Sequence, residues 1–374
     1  MTAFLRPYEK NFPQSSLSMK SISEAREDIE AIDAQIVRLL AQRQDCAKII
    51  GENKAREGKN VVVPEREEEL LRKLEKLAAE LAIPHANIRG IYREIISASV
   101  ALQMRRPIAY LGPEGTFTHQ AARKNFGGGV ELLPKRTLAE VFESVARDKC
   151  AYGVVPVENT NAGAVTGTLD MLAETDLKIV AQILLPIEQC LVCAGTLDGV
   201  RRVLSKDIAL EQCSEWLMHH LPQADLVPTD STAAAVECAA KDPSVAAVAS
   251  AIAAEMRGVP VLERAVQNPG VNVTRFLVIG KKTNPPCTIC EEKTSIVIFV
   301  KNTPGSLQRA LEPFSKRSLN IARIESRPAR ARAWEYMFFI DFIGSWENEN
   351  VRAAIAELEE NAVYVKHLGS YPNT

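Results

Sequence analysis

From Ser21 to about Ala55 the chain keeps an unbroken helical pattern, and a helix that long must find partners along its whole length. Ser21 with Glu24 makes a capping box at its start. Steps of three and four from Arg26 give Ile29, Asp33, Ile36, Leu40, Arg43, Ala47, Ile50 and Lys54, so one face mixes apolar residues with cations. A buried stripe normally excludes charge, and Asp33 alone cannot balance Arg26, Arg43 and Lys54. An anionic ligand would. At a rise of about 1.5 Å per residue, Arg43 and Lys54 lie roughly 16 Å apart, so two long side chains can grip one small molecule. Arg26 and Arg43 are about 25 Å apart, too far to share it. If Arg26 also binds, it should serve a second site, as in a dimer whose long helices run antiparallel. Pro64 then opens a second helix with Leu70, Leu71, Leu74, Leu77 and Leu81 as its stripe and Arg66 and Glu67 in its first turn. After Pro84 a third runs through Ile88, Ile91, Ile95 and Leu102, its seam interrupted by Ser99 and Gln103. Pattern alone leaves open a helical dimerisation module with solvated polar positions.

A chain of 374 residues exceeds one core, so two or three domains are expected. With 46% hydrophobic and 25% charged residues the composition is that of a soluble globular protein. The net charge of −2 gives no reason to expect nucleic acid, and any anionic ligand must be held by locally placed Arg or Lys. No run reaches the roughly 18 apolar residues of a membrane span. Residues 1–20 lack a signal peptide's apolar centre, so the expectation is a cytoplasmic protein with a flexible amino-terminal tail. Two C-x-x-C pairs raise the question of a metal. Strand alternation points Cys190 and Cys193 to opposite faces, and Cys287/Cys290, in a Pro-containing connector, could oxidise or chelate but has no partner pair nearby. No metal is expected.

The order and spacing of Arg26, Arg43, Lys54, Arg66, Glu67, Ser99 and Gln103 resemble the all-helical chorismate mutase family. The resemblance implies that Arg43 and Arg66 hold the substrate carboxylates and that Arg26 reaches in from a partner subunit. It also implies that Lys54 and Gln103 meet the ether oxygen, Glu67 the ring hydroxyl and Ser99 a carboxylate. Val63 departs from the family, which often has Asp there. The implied reaction, chorismate to prephenate, folds a dianion into a compact conformer and stabilises charge on a breaking C–O bond, with no nucleophile, metal or cofactor.

After Pro107 the pattern changes to short strands alternating with helices, as in an α/β domain whose ligands lie at the carboxyl ends of strands. Strands are expected at Ile108 to Leu111, Tyr152 to Val157, Ile183 to Leu185, Cys190 to Cys193, Val245 to Ala249 and Phe276 to Ile279. The stretch QNPGVNVTRFLVIG, from Gln267 to Gly280, sends Asn268, Asn272, Thr274 and Arg275 into a buried strand, at a cost unless something hydrogen-bonds them. GPEGTFT from Gly112 lacks the P-loop Lys and the dinucleotide glycine pattern, so it reads as a strand-to-helix turn capped by Thr116 or Thr118, with His119 a helix-start residue. GPEGTFTHQAA, VVPVENT at 154–160, Ser205, Gln212 with Cys213 and Ser214, Ser231 with Thr232, and Thr274-Arg275-Phe276 together resemble prephenate dehydratase. That resemblance implies two lobes like those of periplasmic binding proteins with prephenate between them. Thr274 would be the essential Thr, Arg275 and Phe276 would complete its motif, and Glu158, Asn159, Thr160, Ser205 and Gln212 would line the cleft. Lys206, Asp207 and Ile208 stand where many members carry His-Pro and a polar residue.

Beyond a Pro-containing linker, the pattern is strand, helix, strand, strand, helix, strand, which predicts a ferredoxin-like sandwich. Gly305-Ser306-Leu307 after Pro304, and Glu325-Ser326-Arg327-Pro328, resemble the phenylalanine-binding signatures of the ACT domain; the family usually has Ala where Ser306 stands. A merely structural dimerisation domain is the alternative.

The expectation is therefore a multidomain chain: an N-terminal tail (1–20), an all-α helical chorismate mutase module (21–105), a two-lobed α/β periplasmic-binding-protein-like dehydratase domain (106–281), a linker (282–293) and an α+β ferredoxin-like ACT domain (294–374). Resemblance implies both activities in phenylalanine biosynthesis, feedback inhibition by L-phenylalanine, no cofactor, and a homodimer or higher homo-oligomer without nucleic-acid or membrane partners. Two rivals are a middle domain that prefers arogenate and a non-catalytic amino-acid sensor.

Overall fold

The computed structural model describes residues 21–104, 106–328 and 336–373. The expected tail (1–20) and the outermost positions of the expected mutase and ACT modules, 105 and 374, lie outside the described residues.

Helix α1 (Ile22–Glu57) begins as its sequence demands: Ser21 Oγ accepts from the Glu24 N–H at 3.2 Å, and the Glu24 carboxylate accepts from the Ser21 N–H at 2.7 Å. It ends on Gly58 in the left-handed region. Helices α2 (Pro64–Glu80) and α3 (His85–Gln103) follow, with α3 packed against both α1 and α2. Gly51 permits the α1–α3 approach, because a Cβ there would stand 2.8 Å from Gln103 Cγ. Much of α1 is nonetheless uncovered: Ile29, Ile32, Ile36, Val37 and Leu39 are exposed.

The middle of the chain builds two lobes. The first contains β1 (Ile108–Leu111), α4 (Phe117–Phe126), β2 (Leu132–Lys135), α5 (Leu138–Ala146), β3 (Tyr152–Asn159), β4 (Gly163–Ala164), α6 (Thr166–Glu174) and β5 (Lys178–Pro186). The second contains β6 (Cys190–Val192), β7 (Arg202–Ser205), α7 (Asp207–Gln212), α8 (Ser214–His220), β8 (Asp225–Pro228), α9 (Thr232–Ala239), β9 (Val245–Ala249), α10 (Ala251–Arg257) and β10 (Val261–Glu263). The chain then returns to the first lobe as β11 (Val273–Gly280). The sheet orders are β2-β1-β3-β11-β5, with β4 beside β3, and β10-β6-β9-β7-β8. The lobes are thus joined by two crossings, after β5 and before β11. Cys190 and Cys193 enter separate cores on opposite faces of the second sheet, as alternation requires.

The last domain is β12 (Glu292–Phe299), α11 (Ser306–Lys316), β13 (Ile321–Pro328), β14 (Tyr336–Ile343), α12 (Glu349–Asn361) and β15 (Tyr364–Pro372), in sheet order β13-β14-β12-β15. β12 starts inside the stretch read as linker, where Cys287 and Cys290 form a disulfide. Alternate residues divide the sheet's two faces. Ile296, Ile298, Ile340 and Phe342 pack under the helices, while Val297, Met337, Phe339, Leu368 and Tyr371 join the core of the first lobe around Val155, Leu277 and Ile279. At Gly369 the contact is so close that a Cβ would fall 2.2 Å from the Ile179 carbonyl oxygen.

Candidate active sites

In the helical module the structure gathers most of the expected residues between α1, α2 and α3. The Arg43 guanidinium donates to Ser99 Oγ and, at 3.3 Å, to the Ile95 carbonyl, so α3 holds it in place. Lys54 Nζ donates to the Val61 carbonyl at 2.7 Å. Burial pushes the Glu67 carboxyl up to about 7, against the opposing pull of Lys54. Burial in turn lowers Lys54, with Glu67 opposing. The side-chain oxygen of Gln103 is buried with no hydrogen-bond partner among the described residues. Two of the expected residues lie apart from this group. Arg66 turns outward, exposed and paired with Glu69 one turn on along the solvent face of α2. Arg26 is exposed near the far end of α1, apart from this cluster.

In the two-lobed domain, β11 enters from the second lobe beside the carboxyl end of β3, pairing Thr274 with Asn159 and Arg275 with Glu158. Asn159 is the hub. Its Oδ1 accepts from the backbone N–H groups of Asn161 and Ala162, each at 2.9 Å, which settles the orientation of the amide. Nδ2 must then donate, and it does so to Thr274 Oγ1 at 2.9 Å and to Asn272 Oδ1 at 2.8 Å. Asn272 passes the direction on by donating to Gln212 Oε1 of the second lobe at 3.1 Å. Because Thr274 Oγ1 accepts from Asn159, its own proton is left to be donated elsewhere.

The lobes also meet where the Ser250 hydroxyl donates to the Gly115 carbonyl at 2.8 Å. Gly115 has φ +85°, and a Cβ there would lie 3.0 Å from Ala253 Cβ. The Gly115 N–H donates to His119 Nδ1 at 3.1 Å, while the ring stacks on Tyr110. Burial lowers the His119 pKa, so the imidazole stays neutral and braces the turn. Thr116 caps α4, accepting from the His119 N–H.

The other expected dehydratase residues do other work. Ser205 is fully buried and donates to the Val248 carbonyl at 2.6 Å within the second lobe. Thr160 Oγ1 donates to the Val271 carbonyl and accepts from the Val273 N–H, bracing the return strand. Phe276 is core, not cleft, at 1% exposure. Glu158 and Arg275, expected to bind substrate, point away from Thr274 toward the last domain, because successive strand residues face opposite ways. Asn272, conspicuous in the sequence only as a polar residue ahead of a strand, proves to be a bridge between the lobes, through Gln212. Its spacing of two from Thr274 was the available signal.

In the last domain Gly305 takes φ +77° ahead of α11. Ser306 is buried, its hydroxyl hydrogen-bonded to that of Thr303 at 2.6 Å, with Leu307 following on α11. Glu325, Ser326, Arg327 and Pro328 end β13, the edge strand. No cluster of three or more metal-ligating side chains occurs among the described residues, and no helix there is long and apolar enough to cross a membrane.

Three family models match in succession: chorismate mutase type II over residues 25–104, prephenate dehydratase over 108–284 and the ACT domain over 294–360. A bifunctional chorismate mutase/prephenate dehydratase of Aquifex aeolicus is 44% identical over 358 residues, 95% of this chain and 98% of that one. The prephenate dehydratase of Arthrobacter aurescens, solved in complex with L-Phe, superposes with a TM-score of 0.66 at 32% identity, covering 71% of this chain and 90% of that chain. GqqA, described as a quorum quenching acylase, also superposes at 0.66, with 29% identity over 72% of this chain and 98% of its own. With both catalytic modules and the ACT domain in order, and near-complete coverage of its relative, the chain belongs to the bifunctional chorismate mutase/prephenate dehydratase family.

Proposed function

We propose that this bifunctional enzyme of phenylalanine biosynthesis rearranges chorismate among Arg43, Lys54, Glu67, Ser99 and Gln103, and converts the resulting prephenate to phenylpyruvate at Thr274. In the first step Arg43 and Ser99 receive a carboxylate, while Lys54 and the Gln103 amide face the ether oxygen as its bond to the ring breaks and negative charge gathers there. Glu67, held partly protonated near neutral pH, meets the ring hydroxyl without repelling the dianion. Arg26 is assigned to the neighbouring site of a second copy; the exposed apolar row of α1 supports such an assembly.

In the second step the ring carboxylate leaves as carbon dioxide, and its bonding electrons enter the ring. The ring hydroxyl departs with its own bonding pair. Aromatisation supplies the driving force, so the protein needs to orient prephenate and donate a proton or hydrogen bond to the departing oxygen. The hydrogen bond from Asn159 to Thr274 carries this reading, since it leaves the Thr274 proton for the substrate. Hydrolysis of an acyl bond would instead call for a base on the hydroxyl, and Asn159 offers it only an N–H. L-phenylalanine is assigned to the Gly305–Leu307 and Glu325–Pro328 segments, where preferential binding to a less active arrangement makes it an inhibitor. A cytoplasmic location suits such an enzyme.

Purified protein given chorismate, with chorismate, prephenate and phenylpyruvate followed over time, tests the whole reading. Phenylpyruvate that forms through transient prephenate, and is suppressed by phenylalanine, is the expected result. Prephenate that accumulates without phenylpyruvate would redirect the middle domain to arogenate, to be tried in parallel.

A further inference from the structure

The residues on either side of the Thr274–Asn159 hydrogen bond are tied to another domain. Arg275 Nη2 lies 2.6 Å from Asp341 Oδ2 on β14, and its Nε lies 2.9 Å from Glu158 Oε1. The other Glu158 oxygen lies 2.6 Å from Arg323 Nε on β13. Charges therefore alternate from Asp341 through Arg275 and Glu158 to Arg323, two from each domain. Side-chain exposure is 7% for Arg275, 5% for Asp341 and 12% for Arg323, while Glu158 keeps 32% of its side chain open to solvent. Asp341 is fixed in turn by the Ser295 hydroxyl at 2.6 Å, itself hydrogen-bonded to Tyr371. The apolar contact of the two sheets is made by the same strands, β3, β11 and β14.

We propose that Arg275 and Glu158 are positioning residues of the dehydratase, gripped by Asp341 and Arg323 so that the placement of the ACT sheet sets the placement of Thr274 and Asn159. Each gripped residue adjoins one of the reacting pair on its strand, and the two couples are consecutive rungs of one ladder. That ladder shifts register between Arg275 and Phe276, directly beside the gripped rung, while the other edge of β11 pairs regularly with β5 through the same residues. A displaced ACT sheet must break a buried ion pair or drag the strand ends with it. β13 also carries Glu325, 3.6 Å from Arg323, and Arg327, 3.6 Å from Asp170 on α6. The segment assigned to phenylalanine thus lies on the strand that holds Glu158, which gives the effector a short physical route to the reacting hydroxyl. The proposal rests on the assignment of Thr274 above.

The full-length enzyme, its Glu158→Gln, Arg323→Gln and doubly substituted variants, and Arg323→Lys test it with prephenate as substrate and mutase activity as the control for folding. Each single Gln variant is expected to lose about 10-fold or more in kcat with KM within about twofold. The double variant should be no worse than the singles, since one link is broken in all three. Arg323→Lys, which keeps the charge, should recover part of the rate. Phenylalanine should inhibit the Gln variants less steeply than the wild type. A raised KM at unchanged kcat in Glu158→Gln would overturn the proposal by making Glu158 a substrate contact. Unchanged kcat in every variant would reduce the ion pairs to a structural role. If Glu158→Gln fails to fold, Arg323→Gln carries the same test from the ACT side. Silent variants beside an active wild type overturn the coupling alone, whereas a wild type that turns over no prephenate overturns the Thr274 assignment and the coupling with it.

Discussion

In Asn159→Asp one NH2 becomes an oxygen while size and backbone are kept. The oxygen that accepts from the Asn161 and Ala162 N–H groups, each at 2.9 Å, is retained, so the loop should hold its shape. The opposite edge of the group changes from donor to acceptor, facing Asn272 Oδ1 at 2.8 Å and Thr274 Oγ1 at 2.9 Å. Asn272 can adapt by rotating its amide, and Gln212, which accepts from it at 3.1 Å, can rotate in turn. Thr274 cannot adapt. It has one proton, and a carboxylate 2.9 Å away will take that proton from the substrate. Losing one preorganised donor to a charge that develops in the transition state costs about 3–4 kcal/mol, or roughly 10²–10³ in kcat. KM should change little. The sign of the pH dependence is a second signature: once protonated, the new carboxyl can donate again, so the ratio of variant to wild-type rate should rise as pH falls from about 8 to 5. The assay is phenylpyruvate formation at saturating prephenate, corrected for the enzyme-free rate, with the mutase rate as the control for folding. A variant within about threefold of wild type at the upper end, or a ratio flat with pH, would refute the donor chain.

Three further outcomes are expected. Arg43→Ala should cost the mutase about 3 kcal/mol, roughly 100-fold in kcat/KM, while leaving turnover of supplied prephenate intact; loss of both activities in a folded variant would argue against separate sites. Glu67 has a folded pKa of about 7 against an ordinary 4.5, so the native state holds its proton more tightly. The contribution of Glu67 to stability should therefore be fullest below about pH 4.5 and fall as pH rises toward 7, and KM for chorismate should climb over the upper part of that window. Thermal unfolding and mutase kinetics of Glu67→Gln should show both slopes flattened. Gly115→Ala combines a left-handed backbone with a methyl 3.0 Å from Ala253, so it should cost about 1–2 kcal/mol and raise KM for prephenate by holding the lobes apart; dehydratase kinetics and melting curves check it.

Much of the fold was legible because local chemistry announced it. Ser21 and Glu24 marked the start of α1, Pro64 opened α2, and Val245 to Ala249 gave β9 to the residue. Alternation separated Cys190 from Cys193, and the last domain kept its expected strand and helix order. The same alternation, applied to Thr274 and Arg275, would have shown that neighbours on a strand cannot both face one substrate. What no local pattern could supply was the destination of Arg275 and Glu158, since Asp341 and Arg323 come from another domain far along the chain. Arg66 pairs at the surface with Glu69 one turn on, a contact that the i, i+3 spacing in the sequence already offers.

In the proposed mechanism a single hydroxyl, oriented by an amide, serves the dehydration step. Thr274→Val keeps the shape and removes the hydroxyl, and Thr274→Ser keeps the hydroxyl and removes a methyl. Supplied with chorismate, the Val variant should make prephenate at the wild-type rate and accumulate it, with phenylpyruvate formation down roughly 10²–10³-fold, while the Ser variant keeps most of its activity. Undiminished phenylpyruvate formation by the Val variant would contradict it.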